Sequence, residues 1–127
     1  MAASEYVPGK CNIGRAEIAR RLQFGWIGVA VTVALAAIFY LTRIPAAWRL
    51  ALFFPAAGGA IGLLQGYSHF CADFGLRGVF NFGHAVGKTE TVEQAEFRRK
   101  DRQKAVSIVL WSMAVGIIVA VGFALVA

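Results

Sequence analysis

The feature that most constrains this chain is a set of three long apolar segments without a single charged residue. They cover residues 24–41, 50–67 and 105–127. An uncharged apolar helix of about 18 or more residues is long enough to cross a hydrocarbon core about 30 Å thick. Hydrophobic residues make up 58% of the chain, above the roughly 45–50% of soluble domains, and the excess lies in these segments. The sequence therefore predicts an all-α membrane protein with three transmembrane helices.

The chain is predicted to form a single membrane domain over residues 1–127. Before the first span, apolar and charged residues alternate in a way that indicates an amphipathic helix lying along the lipid headgroups. The loop before the third span is rich in glycine and phenylalanine, so we expect it to lie in the interface or to fold back beneath the helices. The predicted elements are the amphipathic helix at 12–22, spans at about 24–41 and 47–68, the loop at 70–91, and a helix at 92–126 that includes the third span.

Two local motifs predict where helices begin. Asn12 belongs to the residue types that most often cap a helix N-terminus, and it is the predicted N-cap of the amphipathic helix. Thr91 followed by Gln94 matches a capping box. This motif predicts that the last helix begins at about Val92.

The basic residues predict the orientation of the spans. Four lysines and arginines lie in the N-terminal tail and seven in the second loop, against two in the first loop. Three spans place the tail and the second loop on the same side, and the side richer in lysine and arginine faces the cytoplasm. We therefore expect a multi-pass protein of a bacterial inner (cytoplasmic) membrane, with its N-terminus inside and its C-terminus outside. This asymmetry accounts for the net charge of +6, so no nucleic-acid partner is expected.

Small residues recur at every fourth position in two of the spans. Such a face lets the backbone of a partner helix approach closely, which favours helix association in lipid. The candidate helix-packing residues are Gly58, Gly62 and Gly66 in the second span and Ser112, Gly116 and Ala120 in the third. The pattern fits packing inside one three-helix bundle, and it also fits a face that docks another subunit or a second copy.

A group of polar residues near the same membrane face forms a candidate polar clamp. Gln65 lies inside a span, where an unpaired amide is costly, so it should face another helix or a polar cavity. Asp73 and Arg77 are spaced to pair on a helix, and Glu17 is predicted to reach Arg77 across the bundle. The full set is Glu17, Gln65, Asp73, Arg77 and Asn81. We interpret it as a hydrogen-bonded clamp that closes the cytoplasmic face.

Two cysteines and two histidines on the same side form an alternative, metal-binding candidate. They are Cys11, His69, Cys71 and His84. This residue set suits a tetrahedral zinc site, and histidine also ligates haem iron. Their spacing matches no strong metal motif, and structural roles are the favoured interpretation. We therefore predict no cofactor, with zinc or haem as the alternative, and we expect bound lipid.

No pattern of catalytic residues is present, because the spans contain no acidic residue and no serine lies in a nucleophile context. The predicted function is that of a small non-enzymatic accessory or scaffold subunit that packs against other membrane helices. Its expected partners are membrane lipid and either other membrane subunits or copies of itself. The alternatives are a metal- or haem-binding redox component and a homo-oligomeric channel or small transporter.

Overall fold

The structure, a computed structural model, describes residues 6–126, so the predicted domain limits at residues 1–5 and 127 lie outside the described part. Helices dominate it. The elements in chain order are α1 (Arg15–Leu41), α2 (Ala46–Arg49), a 3₁₀ turn (Leu50–Leu52), α3 (Phe53–Ser68), α4 (Ala72–Arg77), β1 (Val79–Phe80), β2 (Glu90–Thr91) and α5 (Ala95–Val126).

Three helical stretches are long and apolar enough to cross a membrane. They are Arg15–Leu41, Ala46–Ser68 and Ala95–Val126. The last stretch has 32 residues, or roughly 48 Å at 1.5 Å per residue, which exceeds a hydrocarbon core of about 30 Å. Its charged first part therefore extends beyond the apolar part. The prediction of a mainly helical protein with three such helices is confirmed.

The first helix differs from the prediction at its start. It runs unbroken from Arg15 to Leu41, so the amphipathic segment predicted at 12–22 is the first part of this helix and not a separate element. Its N-cap is Gly14, without a side-chain capping bond. Asn12 is not the cap, because its side chain bonds to the backbone of Cys71 instead.

Helix α3 lies between α1 and α5, which have little contact with each other. A Cβ built on Gly62 would lie 2.7 Å from the Cα of Gly25, so two glycine backbones touch where α3 meets α1. On the other side, a Cβ on Gly116 of α5 would lie 2.9 Å from the Cβ of Ala57. At about 100° per residue, Gly62 and Ala57 point to roughly opposite sides of α3. The three helices therefore form a layer with α3 in the middle.

The glycines of α3 that contact α1 differ in part from the predicted set. Gly62 and Gly66 are buried against α1, as is Gly59, which the four-residue pattern did not include. Gly58 does not take part in this contact, because a Cβ built there would meet nothing within 4 Å. Helix α1 packs on the side of α3 that carries Gly59, Gly62 and Gly66. Gly25 and Gly28 of α1 have no side chains, so the two backbones can touch there.

In α5 the small residues line the side that faces α3. Ser112 and Ala120 are both 2% exposed, and the Ser112 hydroxyl donates to the Ile108 carbonyl in its own helix at 2.8 Å. Gly116 lies between them at the same spacing and contacts α3. The predicted packing residues of both helices, apart from Gly58, are thus covered by neighbouring helices of the same chain.

The loop predicted at 70–91 is folded. It contains α4 and the strand β1, which pairs antiparallel with β2 through Val79–Thr91 and Phe80–Glu90. Thr91 is therefore a strand residue, and the predicted capping box is not formed. Gln94 directly precedes α5, and its carbonyl accepts a bond of 3.1 Å from the Arg98 amide. The last helix begins at Ala95 rather than at residue 92.

Candidate functional site at the polar cap

At one end of the helices, residues 6–14 and 69–94 fold against the first turns of α1 and α5, and we call this assembly the cap. Its apolar core contains Phe70, Ile13 and Phe74, of which the first two are fully buried. A run of short loops would leave many backbone groups without partners in such a core. Buried polar side chains supply those partners, and they are the residues from which the candidate site is built.

Asn12 joins the N-terminal segment to the turn between α3 and α4. Its amide nitrogen donates to the Cys71 carbonyl at 3.1 Å, and its amide oxygen accepts from the Cys71 amide at 2.7 Å. The Asn12 backbone bonds to His69 on one side and Asn81 on the other. Every polar group of this fully buried residue forms a hydrogen bond, so Asn12 connects three segments of the cap.

Glu17 is the charged centre of the cap and is only 1% exposed. One carboxylate oxygen forms an ion pair with Arg21, one turn later on α1. The other oxygen accepts from the Asn81 amide at 2.8 Å and from the Gly87 backbone amide at 2.7 Å. A buried carboxylate persists only with such a full set of donors. Glu17 therefore ties α1 to the loop at 81–87.

Asp101 is a second buried carboxylate, and it is not among the predicted site residues. It lies on α5 with no exposed surface, and it accepts from the Tyr6 hydroxyl and, at 2.7 Å, from the Gly9 amide. Burial first, and then the hydrogen bond and charge of Asp101, raise the pKa of Tyr6 above its usual range. Tyr6 thus stays protonated and donates to Asp101, which ties the N-terminal segment to α5.

In the structure, the remaining members of the predicted clamp do not all belong to one hydrogen-bonded network. The Gln65 side-chain oxygen accepts from the Ala72 amide at 2.7 Å, so it satisfies the first turn of α4. Asp73 and Arg77 form the predicted ion pair at 2.8 Å on the exposed surface. The predicted contact between Glu17 and Arg77 is wrong, because Glu17 pairs with Arg21. Asn81 and Glu17 are directly bonded, whereas Asp73 and Arg77 lie outside their buried network.

The four candidate metal ligands do not come together. Cys11, His69 and His84 line one surface groove of about 780 Å³. Cys71 lies elsewhere, buried, with its sulfur 3.0 Å from a guanidinium nitrogen of Arg21. Within residues 6–126, no group of three or more histidine, cysteine or acidic side chains is arranged to hold a metal ion.

Two grooves flank α3, because α1 and α5 cover its opposite sides and leave two faces open. The first, which we call the mid-span groove, has a volume of about 240 Å³. It is lined by Val29, Thr32, Val33, Ala56, Ala60, Leu63, Val115 and Val119. The second, the cap groove, lies over Gly58, has a volume of about 470 Å³ and ends at the cap beside Arg20 and Arg21.

These features define a small helical protein with three helices suited to cross a membrane and a buried polar cap at one end. No protein-family model, curated protein or solved structure matches the chain, so comparison with known proteins assigns it to no narrower class.

Proposed function

We propose that this protein is a small non-enzymatic accessory subunit of a bacterial inner membrane that binds a transmembrane helix of a larger membrane protein in its mid-span groove. The single observation that supports this function most is the groove itself. Its floor is formed by Ala56, Ala60 and Leu63 of α3, with the two alanines one turn apart, and valine side chains of α1 and α5 lie along its edges. Small residues on a groove floor are what a docking helix needs in lipid, where close packing drives association.

The chemistry of the mid-span groove favours an apolar helix over other occupants. Its only polar side chain is Thr32, whose hydroxyl already donates to the Gly28 carbonyl at 2.8 Å. No charge or free polar group in the lining calls for an ion, a polar substrate or a water-filled path. This favours the accessory function over a channel or transporter.

The cap supports a scaffold role for the end of the protein that carries it. Most of the lysines and arginines lie at this end, which by the positive-inside rule is the cytoplasmic end, with the N-terminus inside. The strongly basic start of α5 has exposed side chains at Arg99, Lys100 and Arg102. A cap joined by buried carboxylates holds this basic surface at a constant position beneath the three helices.

The experiment compares two substitutions in the full chain, each adding the same three carbons. Ala60→Leu fills the floor of the mid-span groove, whereas Ala37→Leu adds the same bulk at an exposed position of α1 outside that groove. The tagged protein is purified in mild detergent from its native membrane, and co-purifying subunits are identified and counted by mass spectrometry. A photo-crosslinking amino acid is then placed at each position in turn.

The proposal expects one membrane subunit at constant stoichiometry, crosslinked from position 60 but not from position 37, and lost in Ala60→Leu alone. A crosslink only to a second copy of this chain would replace the heteromeric partner by a homo-oligomer. Equal retention of the subunit by both leucine variants would refute the docking site. About one zinc or haem per chain in the same sample would favour the redox alternative.

A further inference from the structure

We propose that the cap groove binds one anionic glycerophospholipid, with its phosphate beside Arg20 and Arg21 and an acyl chain along the floor at Gly58. This site is independent of the mid-span groove, since the two open on opposite faces of α3. Gly58 and Ala60 are two residues apart, which places them about 200° apart around the helix. If the helix-docking function is refuted, the lipid proposal is unaffected, because a separate experiment tests it.

The floor of the cap groove suits an extended hydrocarbon chain. A Cβ built on Gly58 would meet nothing within 4 Å, so the backbone of α3 is bare along this face. Phe24 of α1, Ile61 of α3 and Val109 of α5 supply apolar walls. The groove opens sideways from the bundle, in the direction from which lipid reaches it.

The end of the groove nearest the cap is polar and positively charged. Arg20 lies with its guanidinium 5.1 Å from the centre of the Phe24 ring, which holds it at the groove edge. Arg20 has no ion-pair partner in the described chain. Arg21 is paired with Glu17, yet its Nε is buried and finds no acceptor among residues 6–126. An anionic oxygen is the natural partner for the exposed guanidinium of Arg20, and it would lie beside the partly exposed guanidinium of Arg21.

The charge balance distinguishes an anionic lipid from a zwitterionic one. Arg21 is compensated by Glu17, and Asp73, which also lines the groove, is compensated by Arg77. Arg20 is then the one uncompensated charge of the groove lining. The phosphate of either lipid can compensate this charge, but phosphatidylcholine also carries a quaternary ammonium, which brings a second cation to the same edge.

The depth of the two arginines fits a lipid phosphate. They are the last charged residues before the uncharged part of α1, which begins at residue 22. Twenty residues from 22 to 41 extend roughly 30 Å, the thickness of the hydrocarbon core. Arg20 and Arg21 therefore lie at the level of the headgroups when α1 crosses the bilayer. A docking helix in this groove would instead bury Arg20 without a counter-ion, which is costly.

Native mass spectrometry of the full chain in detergent provides the test. The protein is titrated with dioleoyl phosphatidylglycerol and with dioleoyl phosphatidylcholine, which share their acyl chains and differ in headgroup charge. Glycerol 3-phosphate is the soluble probe that carries the phosphate without a chain. The proposal expects one retained phosphatidylglycerol per chain, with weaker retention of phosphatidylcholine and no retention of glycerol 3-phosphate.

Two matched pairs of variants locate the lipid. Arg20→Gln should weaken phosphatidylglycerol binding about fivefold, the value of one arginine near an anionic lipid, whereas Arg102→Gln, exposed on α5 outside the groove, should not. Gly58→Leu should abolish retention, whereas Gly122→Leu, at an equally open position of α5, should preserve it.

Equal binding of the two phospholipids by the unmodified protein would overturn the proposal, as would unchanged phosphatidylglycerol binding in both Arg20→Gln and Gly58→Leu. Retention of glycerol 3-phosphate as tight as that of the lipid would also overturn it and point to a soluble phosphate ligand. Since Arg20 is exposed and Gly58 has open space, both variants are expected to fold, and their unfolding temperatures in lipid-free detergent check this.

Discussion

The cap and the three long apolar helices of this protein bury different kinds of residue. The cap buries large and charged side chains, namely Ile13, Glu17, Phe70 and Asp101, each at most 1% exposed. Apart from Leu52 and Ile108, the residues buried in the apolar parts of these helices are small, whereas large side chains such as Leu110, Trp111 and Ile118 are at least 60% exposed. In water, burial of apolar surface drives folding, whereas in lipid a leucine gains nothing by turning inward and close backbone contact drives association.

Two kinds of interaction therefore hold this small fold together. Buried hydrogen bonds to charged groups join the segments of the cap, so loss of one charge should matter there. Backbone contacts through glycine join α1 to α3 in the spans, so gain of volume should matter there.

Removal of the charge of Glu17 should have the largest effect. Glu17→Gln leaves the guanidinium of Arg21 partly buried without its counter-ion, and we expect a loss of about 3 kcal/mol in the free energy of unfolding. The control is Asp73→Asn, which breaks the exposed ion pair with Arg77 and should cost less than about 1 kcal/mol. Denaturant unfolding in detergent measures both. Equal losses would mean that burial does not determine the contribution of these ion pairs.

Added side-chain volume should have different effects at two glycines of α3 that lie one turn apart. In Gly62→Leu the new side chain meets the backbone of Gly25, and we expect the free energy of unfolding to fall by about 2 kcal/mol, with a lower unfolding temperature. Gly58→Leu adds the same side chain one turn away, where the space is open, and should leave the unfolding temperature unchanged in lipid-free detergent. A similar loss in both variants would contradict the packing of α1 on the Gly62 side.

Loss of Asp101 should release the N-terminal segment while leaving the spans packed. Asp101→Ala removes the acceptor for the Tyr6 hydroxyl and the Gly9 amide, at a cost of about 1–2 kcal/mol. Hydrogen exchange should accelerate in residues 6–14 and remain slow in α1. Gln103→Ala, at an exposed position two residues further on α5, is the control. Unchanged exchange in residues 6–14 would show that other contacts hold this segment.

The smallest effect is expected at His69, which ends α3 in a left-handed conformation with φ of +57°. A side chain in that conformation costs about 1 kcal/mol relative to glycine. His69→Gly should therefore keep or slightly raise the unfolding temperature, whereas His84→Gly, in the exposed loop, should not raise it. A clear loss of stability in His69→Gly would indicate that its imidazole makes a stabilising contact or binds a metal.

Helix boundaries show where local sequence patterns stop being sufficient. Asn12 and Thr91 belong to residue types that cap helices, but both are used by tertiary partners. Asn12 bonds to the backbone of Cys71, and Thr91 pairs with Val79 in the small sheet. A capping motif describes only neighbours along the chain, so it does not account for a competing partner more than ten residues away.

The sequence does not mark Asp101 as a site residue, for a related reason. It is the single acid in the basic run at 98–104, a run that the positive-inside rule explains without it. A usable pattern was nevertheless present, because Asp101 lies four residues before Ala105 on the face that continues to Ser112 and Gly116. A charged residue in register with a packing face is expected to be buried and partnered.

The three spans follow from the primary structure alone, because an uncharged apolar stretch of that length has few stable places outside a bilayer. The choice between Gly58 and its neighbour Gly59 as part of the packed face was made only by the tertiary structure. Every residue of α3 from Phe53 to Leu64 is apolar or glycine, so hydropathy does not distinguish one face of this part from another. The selection depends on where the backbone of α1 fits most closely, and this is a property of two helices together.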